Sequence, residues 1–376
     1  MLKDSFKNYI YPVATLSGSI IGVGFLSLPY ITLKVGIWPI LFYFAVLTAL
    51  MVSLHVMYGE IVLKTPDLKM FPGIVGFHLG RPAKAFTLVL MILGSFGVLL
   101  AYLIIGGQFL TTLLSPFFGG DALLYTVLYF LVLSVIIYIG IGAISKLEFW
   151  ALVLLFISFA VIFVKGFSHI KFANIFFETH YLVTDWKTIF LPYGAIVFSL
   201  WGTGLIPEIE EMLGGNKKLL KRIIVISTLI PSAAYILFIL LILGISGPQT
   251  ADSALPGLKY FLEQRVFAVA ILIGLTTTFT AFIAQGLLLK KTFMYDMRVS
   301  KFPAWVFACF VPLILFLLGF NSFIPLISFT GGFLLSINGM LILLMYKKIG
   351  GKSMAVYPLA LLFLLGILYE VVYFLK

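Results

Sequence analysis

A chain of 376 residues that is 62% hydrophobic and only 10% charged is far from the roughly 25% charged content of an ordinary soluble domain, which excludes a water-soluble enzyme or binding module. The formal net charge of +11 would suggest a nucleic-acid partner in a soluble protein, but here the basic residues gather in short segments between apolar runs, so the balance is topological and no nucleic acid is expected. The single cysteine, Cys309, lies inside an apolar run, so no intrachain disulfide is available.

Apolar runs of about twenty residues or more predict eleven membrane-spanning helices, near 10–33, 37–63, 85–114, 122–142, 149–167, 188–212, 223–246, 265–290, 303–319, 323–345 and 357–375. The run behind the Met1–Tyr9 leader is too long for a signal-peptide core, so it reads as the first span and not as a cleaved signal. The expected protein is all-α, polytopic and a single integral membrane domain. With the N-terminus cytoplasmic, 18 of the 25 lysines and arginines fall on the cytoplasmic side, among them Arg81, Lys84, Lys217, Lys218, Lys347 and Lys348. That imbalance predicts N-terminus inside and, for an odd span count, C-terminus outside a cell membrane. A shift of 180 residues carries Gly22 to Gly202, Gly24 to Gly204, Gly94 to Gly274, Tyr102 to Phe282 and Gly106 to Gly286. Spans 1–5 (about 10–167) therefore echo spans 6–10 (about 188–345), inverted because five is odd, and the span near 357–375 is left over.

Two corresponding spans are interrupted. SGSIIGVGFLSLPY at Ser17–Tyr30 in span 1 and FSLWGTGLIPE at Phe198–Glu208 in span 6 each carry a Gly-x-Gly and then a proline where a continuous helix favours Ala or Leu. Unwound backbone at membrane depth is tolerated only where it is buried in protein or lines a cavity, and paired interrupted helices point to a transporter's binding site. At each break the following half-helix presents a partially positive N-terminus and the preceding one a partially negative C-terminus. A zwitterion fits between them. The N–H groups of Val23 and Gly24 are placed against its carboxylate and the carbonyls around Ile20, Phe198 and Ser199 against its ammonium, with Ser19, Gly22 and Gly202 completing the breaks, Tyr102 lining the pocket and Trp201 capping it. The bland alternative makes Gly18 and Gly22 a helix-packing face; two breaks at matched places weigh against it.

Span 8 carries Thr276, Thr277, Thr278 and Thr280. Their hydroxyls, with the carbonyls of Gly18 and Ile21, make a candidate sodium site, or they bond their own backbone one turn back. Glu208 follows the span 6 break directly and is a candidate proton relay, or it pairs with a cytoplasmic-side lysine or with His55. Metal-ligand spacing, phosphate-binding loops and nucleophile–base sets are missing, so no enzyme activity and no cofactor are expected beyond a coupling ion. The expected partners are an amino acid substrate and the lipid bilayer, with no obligate protein partner.

GSIIGVGFLSLPY in span 1, MFPGIVGFHLGR at Met70–Arg81, AYLIIGGQFL in span 3 and LPYGAIVFSLWGTGLIPEIEEMLGGNKKLLKR at Leu191–Arg222 resemble the amino acid/auxin permease family of the amino acid–polyamine–organocation superfamily, its prokaryotic members in particular. The resemblance implies a LeuT-type five-plus-five fold, uptake of amino acids driven by sodium or protons, substrate at Ile20, Val23, Gly24, Phe198 and Trp201, and sodium at Thr276–Thr277 or Thr277–Thr278. Trp201 stands where a small residue is common in the family, which implies a smaller or differently shaped pocket. The expected function is import of a neutral amino acid by alternating access. The alternatives are an amino-acid sensor using the same pocket and a transporter of another small zwitterion or amine.

Overall fold

The computed structural model of the protein describes residues 9–66, 70–140, 144–176 and 186–375; the Met1–Tyr9 leader, apart from Tyr9, lies outside them. Helix dominates because a backbone surrounded by hydrocarbon must satisfy its own hydrogen bonds. The helices are α1 (Tyr11–Ile20) and α2 (Leu28–Val35), which share span 1, α3 (Ile37–Val62), a short α4 (Phe71–Leu79), α5 (Arg81–Phe118), α6 (Ala122–Ile139), α7 (Ile144–Gly166), α8 (Trp186–Leu200) and α9 (Ile206–Met212), which share span 6, and α10 (Lys217–Ser246). They continue as α11 (Gln264–Tyr295), α12 (Lys301–Leu317), α13 (Phe323–Phe329), α14 (Ser336–Lys348) and α15 (Ser353–Leu375). No strand forms among the described residues.

Eight of these spans are long and apolar enough to cross a bilayer alone, and the bent pair α1–α2 makes a ninth. Val153–His169 and Lys301–Leu317 are the two shorter apolar helices, so each of the eleven predicted spans has a helical counterpart. Gly36 (φ 89°) and Gly80 (φ 98°) turn the chain sharply between α2 and α3 and between α4 and α5, a left-handed conformation that favours glycine. Asp121 and Asn216 cap α6 and α10, accepting from the N–H groups of Leu124 and Leu219 at 2.9 and 3.1 Å.

The helices fall into two packing groups. One gathers α1, α2, α3, α8 and α10, that is spans 1, 2, 6 and 7; the other gathers α5, α6, α7, α11 and α12. Span 10 joins them. Between α13 and α14 it is wound as a π-helix over Thr330–Leu335, a feature that the hydropathy of 323–345 does not signal. The π-turn packs on α8, α5 and α15 together. Its contact with α8 is backbone on backbone: a Cβ on Gly331 would strike the carbonyl oxygen of Gly194 and lie 2.7 Å from the Phe198 nitrogen, and one on Gly194 would lie 2.8 Å from the Ser328 Cα.

Main-chain atoms cannot swing aside as a side chain does, so Gly331→Ala is expected to cost about 1–3 kcal/mol, the range for overpacking. Its melting temperature in detergent should fall clearly below that of the parent. Gly204→Ala, where a Cβ meets nothing within 4 Å, should melt as the parent does. Equal melting of all three proteins would contradict the close α8–π-turn contact.

Candidate functional site

The two predicted interruptions are present, and they touch. α1 ends as Ile21 leaves helical geometry (φ −78°, ψ 89°), with its N–H still bonded to the Ser17 carbonyl at 3.1 Å. The chain resumes as a 3-10 turn at Gly24–Ser27 before α2, and the two halves meet at 51°. As opening residues of a turn, Val23, Gly24 and Phe25 present N–H groups that helix geometry leaves without an intrahelical acceptor. In span 6, α8 ends at Leu200, Gly202 adopts φ −140° and ψ 15°, and a 3-10 turn at Thr203–Leu205 leads into α9 with Pro207 in its first turn. Thr188–Met212 nonetheless continues as a single span.

Each break fills the space beside the other's glycine. A Cβ on Gly24 would lie 2.5 Å from Ser199 Oγ and 2.6 Å from Phe198 Cδ1; one on Gly202 would strike the Ile20 side chain and lie 3.4 Å from His55 Cε1; one on Gly22 would lie 2.8 Å from the Tyr102 hydroxyl. Gly24 and Gly202 thus admit the opposite half-site, and Gly22 admits Tyr102. Ile20, Val23 and Tyr102 are buried, Phe198 and Trp201 partly so. Phe25 anchors the span 1 break in an aromatic cluster, stacked on Tyr235 at 5.4 Å and edge-on to Phe238 at 4.8 Å.

Two side chains that the sequence reading did not place at the site hold the breaks together. The Tyr235 hydroxyl of α10 points at two carbonyl oxygens, Ile20 at 3.2 Å and Ser199 at 3.1 Å. These are the carbonyls expected to receive a substrate ammonium, and here a protein O–H stands in front of them. His55 of α3 accepts the Gly202 N–H on Nε2 at 3.2 Å. Its Nδ1 lies 3.0 Å from Thr228 Oγ1, whose own proton goes to the Ile224 carbonyl at 2.9 Å. With that proton committed, the network assigns the Nδ1–H tautomer, a neutral imidazole that donates to Thr228 and accepts from Gly202. A histidine in mid-span was the available signal, but its partners are 147 and 173 residues away in sequence.

The structure also gives the surroundings of the other candidate residues. Glu208 is exposed in the first turn of α9, so it is not a buried acid, and His55 pairs with Gly202 and Thr228 instead of with it. Thr276, Thr277, Thr278 and Thr280 all donate to their own helix, to the carbonyls of Leu272, Gly274, Leu275 and Thr277 at 2.8, 2.8, 2.8 and 3.0 Å. Thr278 also accepts from the Tyr129 hydroxyl at 3.2 Å. α11, which carries them, packs chiefly on α5 and α7, whereas α1, with Gly18 at its end and Ile21 just beyond, packs chiefly on α7 and α10. Ser19 donates to the Leu16 carbonyl at 2.9 Å and Ser199 to the Ala195 carbonyl at 2.7 Å, so neither hydroxyl proton is free for a ligand.

Paired broken helices packed in one of two helix groups define the LeuT fold, and with the family match that follows the class is a multi-pass membrane transporter of amino acids. The chain belongs to the tryptophan/tyrosine permease family, whose model matches residues 7–368. The broader class of amino acid permease that the motifs imply stands. A relative, the tyrosine-specific transport system 1 of Haemophilus influenzae, is 25% identical over 325 residues, 79% of each chain. Among solved structures, MhsT in complex with L-phenylalanine matches with a TM-score of 0.67 at 14% identity, over 96% of this chain and 98% of that one. The Eremococcus coleocola manganese transporter in complex with an aromatic bis-isothiourea compound matches with a TM-score of 0.63 at 14% identity, over 100% of this chain and 89% of that one.

His55→Leu leaves the Gly202 N–H buried without an acceptor, a cost of about 1–3 kcal/mol. The variant should melt at a lower temperature, with His55→Gln, whose amide oxygen can accept, between it and the parent. A Leu variant that melts with the parent would show that the histidine does not secure the break.

Proposed function

We propose that the protein is a secondary active transporter that imports an aromatic amino acid across the cell membrane, with its N-terminus cytoplasmic. The observation that carries this reading is the meeting of the two half-sites, with backbone N–H groups at Val23 and Gly24 and carbonyls at Ile20 and Ser199, in a tryptophan/tyrosine permease. The carboxylate of the zwitterion takes the N–H groups at the positive end of the 3-10 turn. Its ammonium takes the two carbonyls, and the Tyr235 hydroxyl yields them. Phe198, Trp201 and Tyr102 then offer ring faces and edges to an aromatic side chain, which gives the departure at Trp201 a purpose. The relative described as tyrosine-specific supports the same substrate class.

Transport follows if substrate binds differently to two arrangements of the packing groups. The group holding spans 1, 2, 6 and 7 carries most of the half-site contacts, and the other group carries Tyr102 on α5. Rocking of one against the other exposes the breaks to each side in turn, coupled to a sodium or proton gradient.

The test is uptake by purified protein in liposomes. Labelled L-tyrosine, L-tryptophan or L-phenylalanine should accumulate saturably, should be competed by the other aromatic amino acids and should exchange in counterflow. Saturable binding with no counterflow for any of them would contradict transport and leave a sensor.

A further inference from the structure

A carboxyl group that no ion pair among the described residues engages is buried in the span that the repeat leaves over. Glu370 of α15 is 0% exposed. Its Oε1 accepts the Ser328 hydroxyl at 2.6 Å, and its Oε2 has no hydrogen-bond partner. Among the described residues no ion pair engages it. The titratable group facing it from α8 is Tyr193, whose hydroxyl lies 3.2 Å from Ser336 Oγ, with Tyr43 of α3 beyond. Tyr369 and Tyr373 flank it on its own helix. From α14 come Lys347 and Lys348, but Lys347 donates to Tyr357 at 3.1 Å, and Tyr357 lies about 20 Å along α15 from Glu370 at helical rise. The side chains of Lys187 and Lys376 lie outside the described residues.

The carboxyl rests on the π-turn. A Cβ on Gly332 would lie 2.5 Å from Glu370 Oε1 and 2.6 Å from its Cγ. The adjacent Gly331 lies against the Gly194 carbonyl and the Phe198 nitrogen, and Phe198 in turn covers Gly24. Glu370, the π-turn, the end of α8 and the span 1 break are therefore four consecutive layers. An ionised carboxylate in this setting is far costlier than the neutral acid. To ionise, Glu370 needs water or a cation at Oε2, and to admit one to a side chain that is 0% exposed the packing around α15, the π-turn included, must loosen. Proton occupancy and the packing of the π-turn on α8 are thus linked, and π-turns recur at functional sites.

We infer that Glu370 is a proton-binding site of the transport cycle: its protonated acid holds the π-turn packed behind the α8 half-site, and loss of that proton releases it. The step is a proton equilibrium alone. A proton from one aqueous side binds a carboxylate oxygen to give the neutral acid, and the same proton leaves to the other side. On the orientation that the lysines favour, Glu370 lies in the outer half of the membrane, toward the end of α15 remote from Lys347 and Lys348. The inference rests on the transporter reading for its coupling role, but not for the proton itself.

Two measurements test it. Infrared difference spectra of the purified protein near neutral pH should contain the C=O stretch of a protonated carboxylic acid that Glu370→Gln removes. In liposomes, Glu370→Gln should keep tyrosine counterflow while losing several-fold accumulation driven by a pH gradient, and Ser328→Ala, which keeps the acid, should displace the pH midpoint of uptake. A packing role alone would lower melting temperature without moving either readout. A missing carboxyl band, a Gln variant that still concentrates tyrosine on a pH gradient, or accumulation driven by sodium at equal pH and lost in the Gln variant would each overturn the proposal. A parent protein that has the band but moves no substrate would instead defeat the transporter reading, and with it the coupling role.

Discussion

Backbone that leaves helical geometry inside a membrane must find new hydrogen-bond partners, because each unpaired group in hydrocarbon costs several kcal/mol. Here two interruptions meet that requirement in large part through each other and through α3 and α10. The Tyr235 hydroxyl takes the carbonyl ends of α1 and α8, and the His55 imidazole takes the Gly202 N–H. What remains is the run of N–H groups at the start of the 3-10 turn in span 1. The proposed zwitterion site uses this arrangement, acceptors held by one hydroxyl beside the opening N–H groups of a 3-10 turn.

The rest of the structure serves this arrangement. α10 belongs to the same packing group as α1 and α8, so Tyr235 and Thr228 sit on the same packed unit as the breaks they support. Ser17 and Ser227 add a second tie between α1 and α10, donating to the carbonyls of Ser227 and Val13 at 3.4 and 3.3 Å. Span 10 belongs to neither group alone. Its π-turn is pressed against the α8 backbone by the glycines at 194 and 331, and against the Glu370 side chain of α15 by the glycine at 332. A displacement of either helix must therefore be felt by the other.

The spans and the breaks were legible because they rest on local signals: apolar runs of bilayer length, and glycine with proline where helix formers belong. The approach of Gly22, Gly24 and Gly202 to bulky neighbours was legible as a need for small residues, although the nearest atoms are those of the opposite break at Gly24 and Gly202 and of Tyr102 at Gly22. What the sequence hid is pairing across long separations. His55 and Tyr235 carry no motif, and only the fold brings them to Gly202, Ile20 and Ser199. Glu370 is visible as an acid in an apolar span, but nothing local marks it as buried, because its partner Ser328 lies 42 residues away. The threonines of span 8 were visible as a cluster, yet a Thr hydroxyl bonding back to its own helix leaves no mark on the sequence. The π-turn differs from ordinary helix by one residue in its hydrogen-bond spacing, too little to disturb an apolar pattern.

The central claim is that the carbonyls of Ile20 and Ser199 are an ammonium site that Tyr235 occupies when substrate is absent. Aromatic amino acid binding to Tyr235→Phe tests it most directly. Deleting a hydroxyl that bonds only in the unloaded state destabilises that state alone, by about 0.5–1.5 kcal/mol for one hydrogen bond. Affinity should then rise roughly two- to tenfold, while the melting temperature of the unloaded protein falls. A weaker affinity in the Phe variant would contradict the account, because it would mean that the hydroxyl holds the substrate instead of standing in its place.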